Sequence, residues 1–293
     1  MSKCLVTGHL GYIGAHLFKK LQELGHEVMG IDLKEKYPKD ILKYLKEYDD
    51  NSERFHPVYQ NFKPEFVFHL ACFPRVQFSV ENPVETMKNN VIATSIVLNF
   101  ARKIGAKRFI YSSSSSVMGN GDGPESPYAL QKLTSEIETK LYSHLYGIDT
   151  VSLRYFNVYS PDQKAEGAYA TAVSAWMHAI RERKKPFITG TGEQRRDMLH
   201  VEDAVAANIF AMNYEENFCG QSYDVGTGEN ISLNQIKQIV NFYHPDVKFD
   251  YTDPRLGDVF ETKANITPFA ETGWLAQTGI KQGIEECFRR KEA

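Results

Sequence analysis

The chain has no apolar run long enough to span a bilayer, so a helical membrane span is not expected. It lacks charge of one sign. Its 34 basic and 37 acidic residues leave a net charge of −3, which gives no basic surface for nucleic acid or anionic membrane. Cysteine is scarce: Cys4, Cys72, Cys219 and Cys287 are isolated, without metal-ligand spacing, and read as free thiols in a reducing cytosol. No internal repeat is present. The opening MSKCLVTG runs directly into a strand-like segment, which leaves no room for a signal peptide and points to a cytoplasmic location.

The 293 residues can bury a substantial core, and the 42% hydrophobic and 24% charged composition is that of a soluble globular protein. KCLVTG, AHLFKKLQELG and HEVMGIDL read as strand, helix and strand within about thirty residues, the size of a βαβ unit. Buried strands are expected at 65–73, 107–113 and 149–159, with long helices over 84–104 and from Tyr128 to about Tyr146. This alternation predicts a Rossmann-type, doubly wound parallel α/β sheet. After Pro161 the texture changes to helices at 169–183 and 201–213 and scattered short elements, read as a smaller α+β domain over the carboxyl edge of the sheet. The expected division is a dinucleotide domain over 1–165, with a return segment near 197–225, and a substrate domain from 166–196 and 226–293.

TGHLGYIG, residues 7–14, lies between the first strand and the first helix. There Gly8 permits a tight turn, Gly11 lets a pyrophosphate approach the backbone, and Gly14 lets the helix pack closely. Asp32 ends the second strand 18 residues after Gly14, where a carboxylate can bond adenosine ribose hydroxyls and repel a 2′-phosphate. That favours NAD over NADP.

YSSSSSVMGNGDGPESPYALQK, residues 111–132, resembles a linker until Tyr128 and Lys132 are placed on a helix, four apart and on one face. An ammonium beside a phenol favours the phenolate and so could make Tyr128 a base. Leu130, Leu133, Ile137, Leu141 and Leu145 form an apolar stripe on the other side of that helix, suited to a subunit interface in a homodimer. His69, His178 and His200 have no accompanying ligand cluster and read as structural histidines. The RERKK run at 181–185 reads as a solvated helix end.

Together these segments resemble the nucleotide-sugar epimerases of the extended short-chain dehydrogenase/reductase family. The resemblance covers nearly the whole chain, through the glycine loop, FHLA at 68–71, Asn90 in NNVIAT, FIYSSSSSV, SPYALQK, LRYFNVY, GEQRRDMLHVED and PRLGDV, in the family's order. It implies that Ser114 is the hydroxyl partner of Tyr128, so the serine run is a strand end and not a linker. It implies NAD contacts from Gly8, Gly11, Tyr12, Ile13, Gly14, Asp32, Leu33, Leu70, Ala71, Asn90, Tyr128, Lys132 and Tyr155, with Asp40 and Ile41 at the adenine. Dehydratases of the family carry Asp and Glu after the catalytic hydroxyl residue, and the decarboxylases carry a glutamate in this stretch. Here Ser115 and Ser116 stand there, which removes the acid and base of elimination and favours epimerisation. The chain departs from the pattern in having Val117-Met118-Gly119 for Val-Tyr-Gly, and in placing only 13 residues between Ser114 and Tyr128.

For the sugar nucleotide the resemblance implies Arg75, Ser114, Ser115 and Ser116 at the sugar, Asn157 at the diphosphate, and Phe187 and Ile188 at the uracil. Arg196 and Arg255 would bind the pyrophosphate, and Asp258 the ribose. Thr262 takes the place of a bulky tyrosine that confines relatives to plain hexoses, which leaves room for an N-acetyl group. The expected reaction is NAD-dependent 4-epimerisation of UDP-GlcNAc and UDP-GalNAc, with UDP-Glc and UDP-Gal as a second pair, through a transient 4-keto sugar. A UDP-glucuronate epimerase and a net oxidoreductase are the alternatives on the same scaffold; a non-catalytic NAD sensor would be expected to lack the Tyr/Lys pair.

Overall fold

The computed structural model describes residues 1–32, 61–164, 171–254 and 259–289. β1 (Lys3–Thr7), α1 (Tyr12–Glu23) and β2 (Glu27–Ile31) form the opening unit, and β3 (Phe66–His69) follows. Next come α2 (Val76–Glu81), α3 (Pro83–Met87), a π-helical turn at Lys88–Ile92, α4 (Ala93–Ile104) and β4 (Arg108–Ser114). The expected helix over 84–104 is therefore interrupted by one wide turn, and Asn90 sits within it.

A 3₁₀ turn at Ser115–Met118 leads on to α5 (Pro127–Tyr146) and β5 (Asp149–Tyr155). The start of α5 is written locally: Ser126 Oγ accepts the Ala129 N–H, Pro127 occupies the first turn, and Gly147 at φ 70° ends the helix. The remaining described elements are α6 (Ala172–Arg181), β6 (Phe187–Thr189), β7 (Arg195–Arg196), α7 (Val201–Asn213), β8 (Gln221–Val225), β9 (Ile231–Ser232), α8 (Leu233–Tyr243), β10 (Asp250–Thr252), β11 (Glu261–Thr262), α9 (Thr267–Glu271) and α10 (Ile280–Phe288).

Among the described residues the main sheet has the order β2-β1-β3-β4-β5-β8, and every pairing in it is parallel. Both faces are covered, and the strands alternate between two cores. Cys4, Val6, Phe68 and Ile110 enter a core with Leu17 and Leu21 of α1 and Ala204, Ala207 and Ala211 of α7. Leu5, Val67, Phe109 and Tyr111 enter a second with Val97, Leu98 and Ala101 of α4. The chain leaves β1 toward β2 on one side and returns to β3 on the other, so the order reverses between β1 and β3. A crevice at the carboxyl ends of such strands is where open α/β sheets bind ligands.

A separate core gathers Val173, Trp176 and Met177 of α6, Ile188 of β6, Ile236 and Val240 of α8, and Ile280, Ile284 and Phe288 of α10. Two small sheets accompany it: β6 with β10 in parallel, and β7 flanked by β11 (parallel) and β9 (antiparallel).

Candidate active site

The glycine loop closes on the reversal point. Gly8 has φ +75°, and a Cβ there would lie 2.8 Å from the Ala71 nitrogen, so the loop after β1 abuts the segment after β3 without room for a side chain. A Cβ on Gly14 would come within 2.1 Å of the Gly8 carbonyl oxygen, which sets how closely α1 meets the loop. No side chain caps the amino end of α1 at Gly11, so its first N–H groups are open to an anion. Asp32, at the end of β2, accepts the Leu10 N–H at 3.0 Å through Oδ2 and is tied to the same loop. These residues fit a dinucleotide: a Cβ-free cradle, a helix amino terminus and a carboxylate at the second strand. The Tyr12 hydroxyl bonds Ser160 Oγ, which ties the loop to the segment leaving β5. Leu33, Asp40 and Ile41 lie outside the described residues.

His69 is structural, as its place in a buried strand suggests. Its two ring nitrogens bond Thr7 Oγ1 at 2.7 Å and Thr94 Oγ1 at 2.9 Å. Complete burial, with Lys132 adding repulsion, drops its pKa to about 3, so the ring is neutral. Asn90 bonds the Phe73 backbone on both sides and donates to Gln131 Oε1 at 2.8 Å, fixing the loop of Leu70 to Arg75 against α5. Arg75 itself is exposed.

Ser114, Tyr128 and Lys132 come together as expected. β4 ends at Ser114, whose Oγ accepts from the Ser116 N–H at 3.2 Å and the Ser116 hydroxyl at 3.0 Å and bonds the Tyr128 phenol. Lys132 Nζ donates to the Ser112 carbonyl at 2.6 Å and stands 5.9 Å from the Tyr128 ring centre and 4.9 Å from that of Tyr111. Tyr128 is 8% exposed and Lys132 2%. Lys132 acts to lower the Tyr128 pKa, as expected, but it is not the largest influence on the phenol. Burial raises the phenol's pKa above its ordinary value, and Lys132 offsets only part of that. Burial likewise acts against the Lys132 ammonium, but Cys72, Tyr111 and Tyr128 outweigh it and hold its pKa above the usual value. The resting pair is a neutral phenol beside an ammonium.

Cys72 hydrogen-bonds Lys132, a contact that sequence spacing did not signal. The Tyr155 hydroxyl accepts from Asn208 Nδ2 at 2.7 Å and is buried beneath the site.

Where the resemblance implies a sugar nucleotide, Asn157 adopts φ +35°, a strained conformation for a residue other than glycine. Its amide donates to the Asp197 carbonyl at 2.7 Å and to Thr262 Oγ1 at 3.4 Å. Thr262 is the register partner of Arg196 in the β7–β11 pair, so Asn157, Arg196 and Thr262 share one patch. Behind it the fully buried Asp197 carboxylate accepts four bonds: from the Thr227 N–H and hydroxyl, the Gly228 N–H and the Ala264 N–H. Phe187 is 46% exposed, whereas the Ile188 side chain is wholly inside the separate core of α6, α8 and α10, which leaves only its backbone to face a ligand. Arg255 and Asp258 lie outside the described residues. Among the described residues no group of His, Cys, Asp and Glu could hold a metal ion, and no helix is long and apolar enough to cross a membrane.

A family model described as the NAD dependent epimerase/dehydratase family matches residues 4–226. The UDP-glucose 4-epimerase of Mycolicibacterium smegmatis is 30% identical over 99% of both chains. Among solved structures, the UDP-glucose 4-epimerase of Thermotoga maritima, determined with UDP-glucose, is 28% identical with a TM-score of 0.86, covering 98% of this chain and 97% of its own. The UDP-N-acetylglucosamine 4-epimerase of Methanobrevibacter ruminantium M1 is 27% identical over the same shares, with a TM-score of 0.85. UDP-glucuronate 4-epimerases are matched as well, so the fold does not by itself choose the sugar. On the family match and the end-to-end likeness, this chain is an enzyme of the NAD-dependent epimerase/dehydratase family, within the extended short-chain dehydrogenase/reductases.

Proposed function

We propose that this enzyme interconverts UDP-GlcNAc and UDP-GalNAc at C4, with UDP-Glc and UDP-Gal as a second substrate pair. The observation that carries the reading is the Ser114–Tyr128–Lys132 set, with Ser115 and Ser116 where an eliminating enzyme needs carboxylates. Bound NAD supplies a reversible acceptor for the hydride at C4. Tyr128 exchanges the proton of the sugar 4-hydroxyl, and Ser114, steadied by Ser116, bonds the same oxygen. Lys132 keeps a positive charge beside the phenol. The raised pKa of Tyr128 keeps its proton in place in the resting enzyme, so further positive charge at the site is needed before the phenol becomes a competent base.

Gly8, Gly11, Gly14, Asp32, Leu70, Ala71 and Asn90 form or support the cofactor cleft. Asn157, Arg196 and Thr262, with Phe187 at the edge, hold the sugar nucleotide. The short Thr262 side chain beside Asn157 supports a pocket roomy enough for an N-acetyl group. The working unit is a homodimer. Leu130, Ile137, Leu141 and Leu145 on α5 are exposed in one copy, and Val76 and Val80 of α2 and Val84 and Met87 of α3 are exposed on the neighbouring helices, an apolar face that a second copy covers. Four unpaired cysteines suit a cytoplasmic setting.

The test is proton NMR of the anomeric region after incubating the purified protein, without added cofactor, with UDP-GlcNAc. UDP-GalNAc signals are expected. Conversion of UDP-Glc or UDP-glucuronate alone would overturn the reading of Thr262, and silence with every UDP-sugar, with NAD bound, would overturn epimerisation. Light scattering gives the mass of the particle, and a monomer would sink the dimer.

A further inference from the structure

A buried charged cluster lies directly beneath the candidate catalytic groups and has no part in the chemistry described above. Glu136, one turn beyond Lys132 on α5, is 4% exposed. Its Oε1 accepts from the Ser113 hydroxyl and from Arg154 Nε at 2.8 Å, and its Oε2 from Arg154 Nη2 at 2.7 Å and Ser222 Oγ at 3.3 Å. Arg154 Nη1 also lies 3.7 Å from Asp224 Oδ1. Asp224 Oδ2 in turn accepts the Asn265 N–H at 3.0 Å, just beyond Thr262. Ser113, Arg154 and Asp224 are direct register partners across β4, β5 and β8. The cluster is therefore one row of the sheet, clamped to the helix by a single carboxylate.

Stability alone is a weak reason for such an arrangement. Burying two carboxylates with one guanidinium carries a desolvation cost that well-packed apolar residues avoid. What the cluster supplies is geometry, because a guanidinium fork and a carboxylate meet in one bidentate plane. Each anchor also adjoins a residue of the site: Ser113 precedes Ser114, Arg154 precedes Tyr155, and Glu136 follows Lys132 by one turn.

We propose that Glu136 is a positioning residue that sets the register of α5 over the ends of β4 and β5, and that Ser113 is the arm through which it places Ser114 against Tyr128. The proposal rests on the catalytic reading of Ser114, Tyr128 and Lys132 given above. Ser113→Ala cuts the arm while leaving the Glu136–Arg154 pair intact, and Ser113→Thr restores a hydroxyl. Glu136→Gln weakens the clamp itself.

The experiment compares these variants, as purified holoenzymes, by steady-state kinetics on UDP-GlcNAc and by amide hydrogen exchange without sugar. Ser113→Ala is expected to lower kcat about 10-fold, and Glu136→Gln by up to about 100-fold, the scale of a sub-ångström to ångström misplacement. In Ser113→Ala, KM, bound NAD and melting temperature stay at the wild-type values, exchange rises over 114–118, and Ser113→Thr recovers the rate. A kcat within twofold of wild type with unchanged exchange over 114–118 overturns the proposal. So does a loss of rate that follows a fall in melting temperature with no local change in exchange. If wild type turns over no UDP-sugar, the proposed function fails, and the exchange result alone then decides for or against the clamp.

Discussion

The two ends of the candidate site are built by different means. The cofactor and catalytic end hangs on long elements in one parallel register: β1, β3 and β4, with α1 on one face and α5 on the other. The sugar-nucleotide end is assembled from two-residue strands, a residue at φ +35° and the backbone around Asp197. A helix places Tyr128 and Lys132 by its own repeat, whereas Asn157 and Thr262 meet only because strands distant in sequence pair correctly. The first end should therefore respond to substitutions by losing chemistry or cofactor, and the second by changing selectivity.

The sharpest way to break that contrast is Tyr128→Phe. If the catalytic end carries the chemistry, kcat falls by about 10²–10⁴-fold while bound NAD remains. Quantifying cofactor absorbance and turnover on the same preparation checks both halves. Turnover within tenfold of wild type would remove Tyr128 from the chemistry.

The catalytic end also holds a neutral histidine, which gives it an acid sensitivity. The pKa of His69 is near 6.5 when exposed on unfolding and about 3 when folded, so protons bind the unfolded chain first as pH falls. The stability tied to this group is complete above about 6.5 and declines by about 1.4 kcal/mol per pH unit toward about 3. Urea unfolding at several pH values should give a shallower acid slope for His69→Gln than for wild type. Parallel slopes would mean that His69 is not the group responsible.

Gly14→Ala probes the cradle. The new Cβ would meet the Gly8 carbonyl at 2.1 Å, so α1 or the loop must shift, at a cost of about 1–3 kcal/mol. The protein should purify with less bound NAD, while stability in the separate core of α6, α8 and α10 is untouched. Full NAD occupancy would show that the close approach is not needed.

How much of this was legible in the sequence follows the same division. The i, i+4 spacing of Tyr128 and Lys132, the cap at Ser126 and the stop at Gly147 are local, and α5 spans the expected residues. The serine run resolves into a strand end and a 3₁₀ turn, with Ser114 at the join. The π-helical turn at Lys88–Ile92 lies inside the span expected as one continuous helix over 84–104. Cys72 beside Lys132 was invisible, since it depends on where the chain goes after β3. Glu136 reads as one carboxylate on an amphipathic helix until Ser113 and Arg154 are seen beneath it. At Phe187 and Ile188, which the resemblance places at the uracil, strand alternation turns the Ile188 side chain into the core and leaves Phe187 outside, a division that depends on what packs beneath the strand.

Thr262→Tyr is the smallest of these changes and bears most directly on the sugar-nucleotide end. The threonine pairs with Arg196 across β7 and β11 and lies within 3.4 Å of the Asn157 amide, so a larger ring at this position must project into the space beside Asn157 or displace it. Overlap excludes an N-acetyl group more strongly than a hydroxyl, a difference of about 1–3 kcal/mol, or roughly 10- to 200-fold in relative kcat/KM. The ratio of kcat/KM for UDP-Glc to that for UDP-GlcNAc should rise by that factor, with NAD content unchanged. The catalytic groups lie on other elements, so kcat on UDP-Glc should hold. A drop in both substrates together would place Thr262 in support of Asn157 and not at the sugar, and selectivity would then have to be sought among the serines at the end of β4.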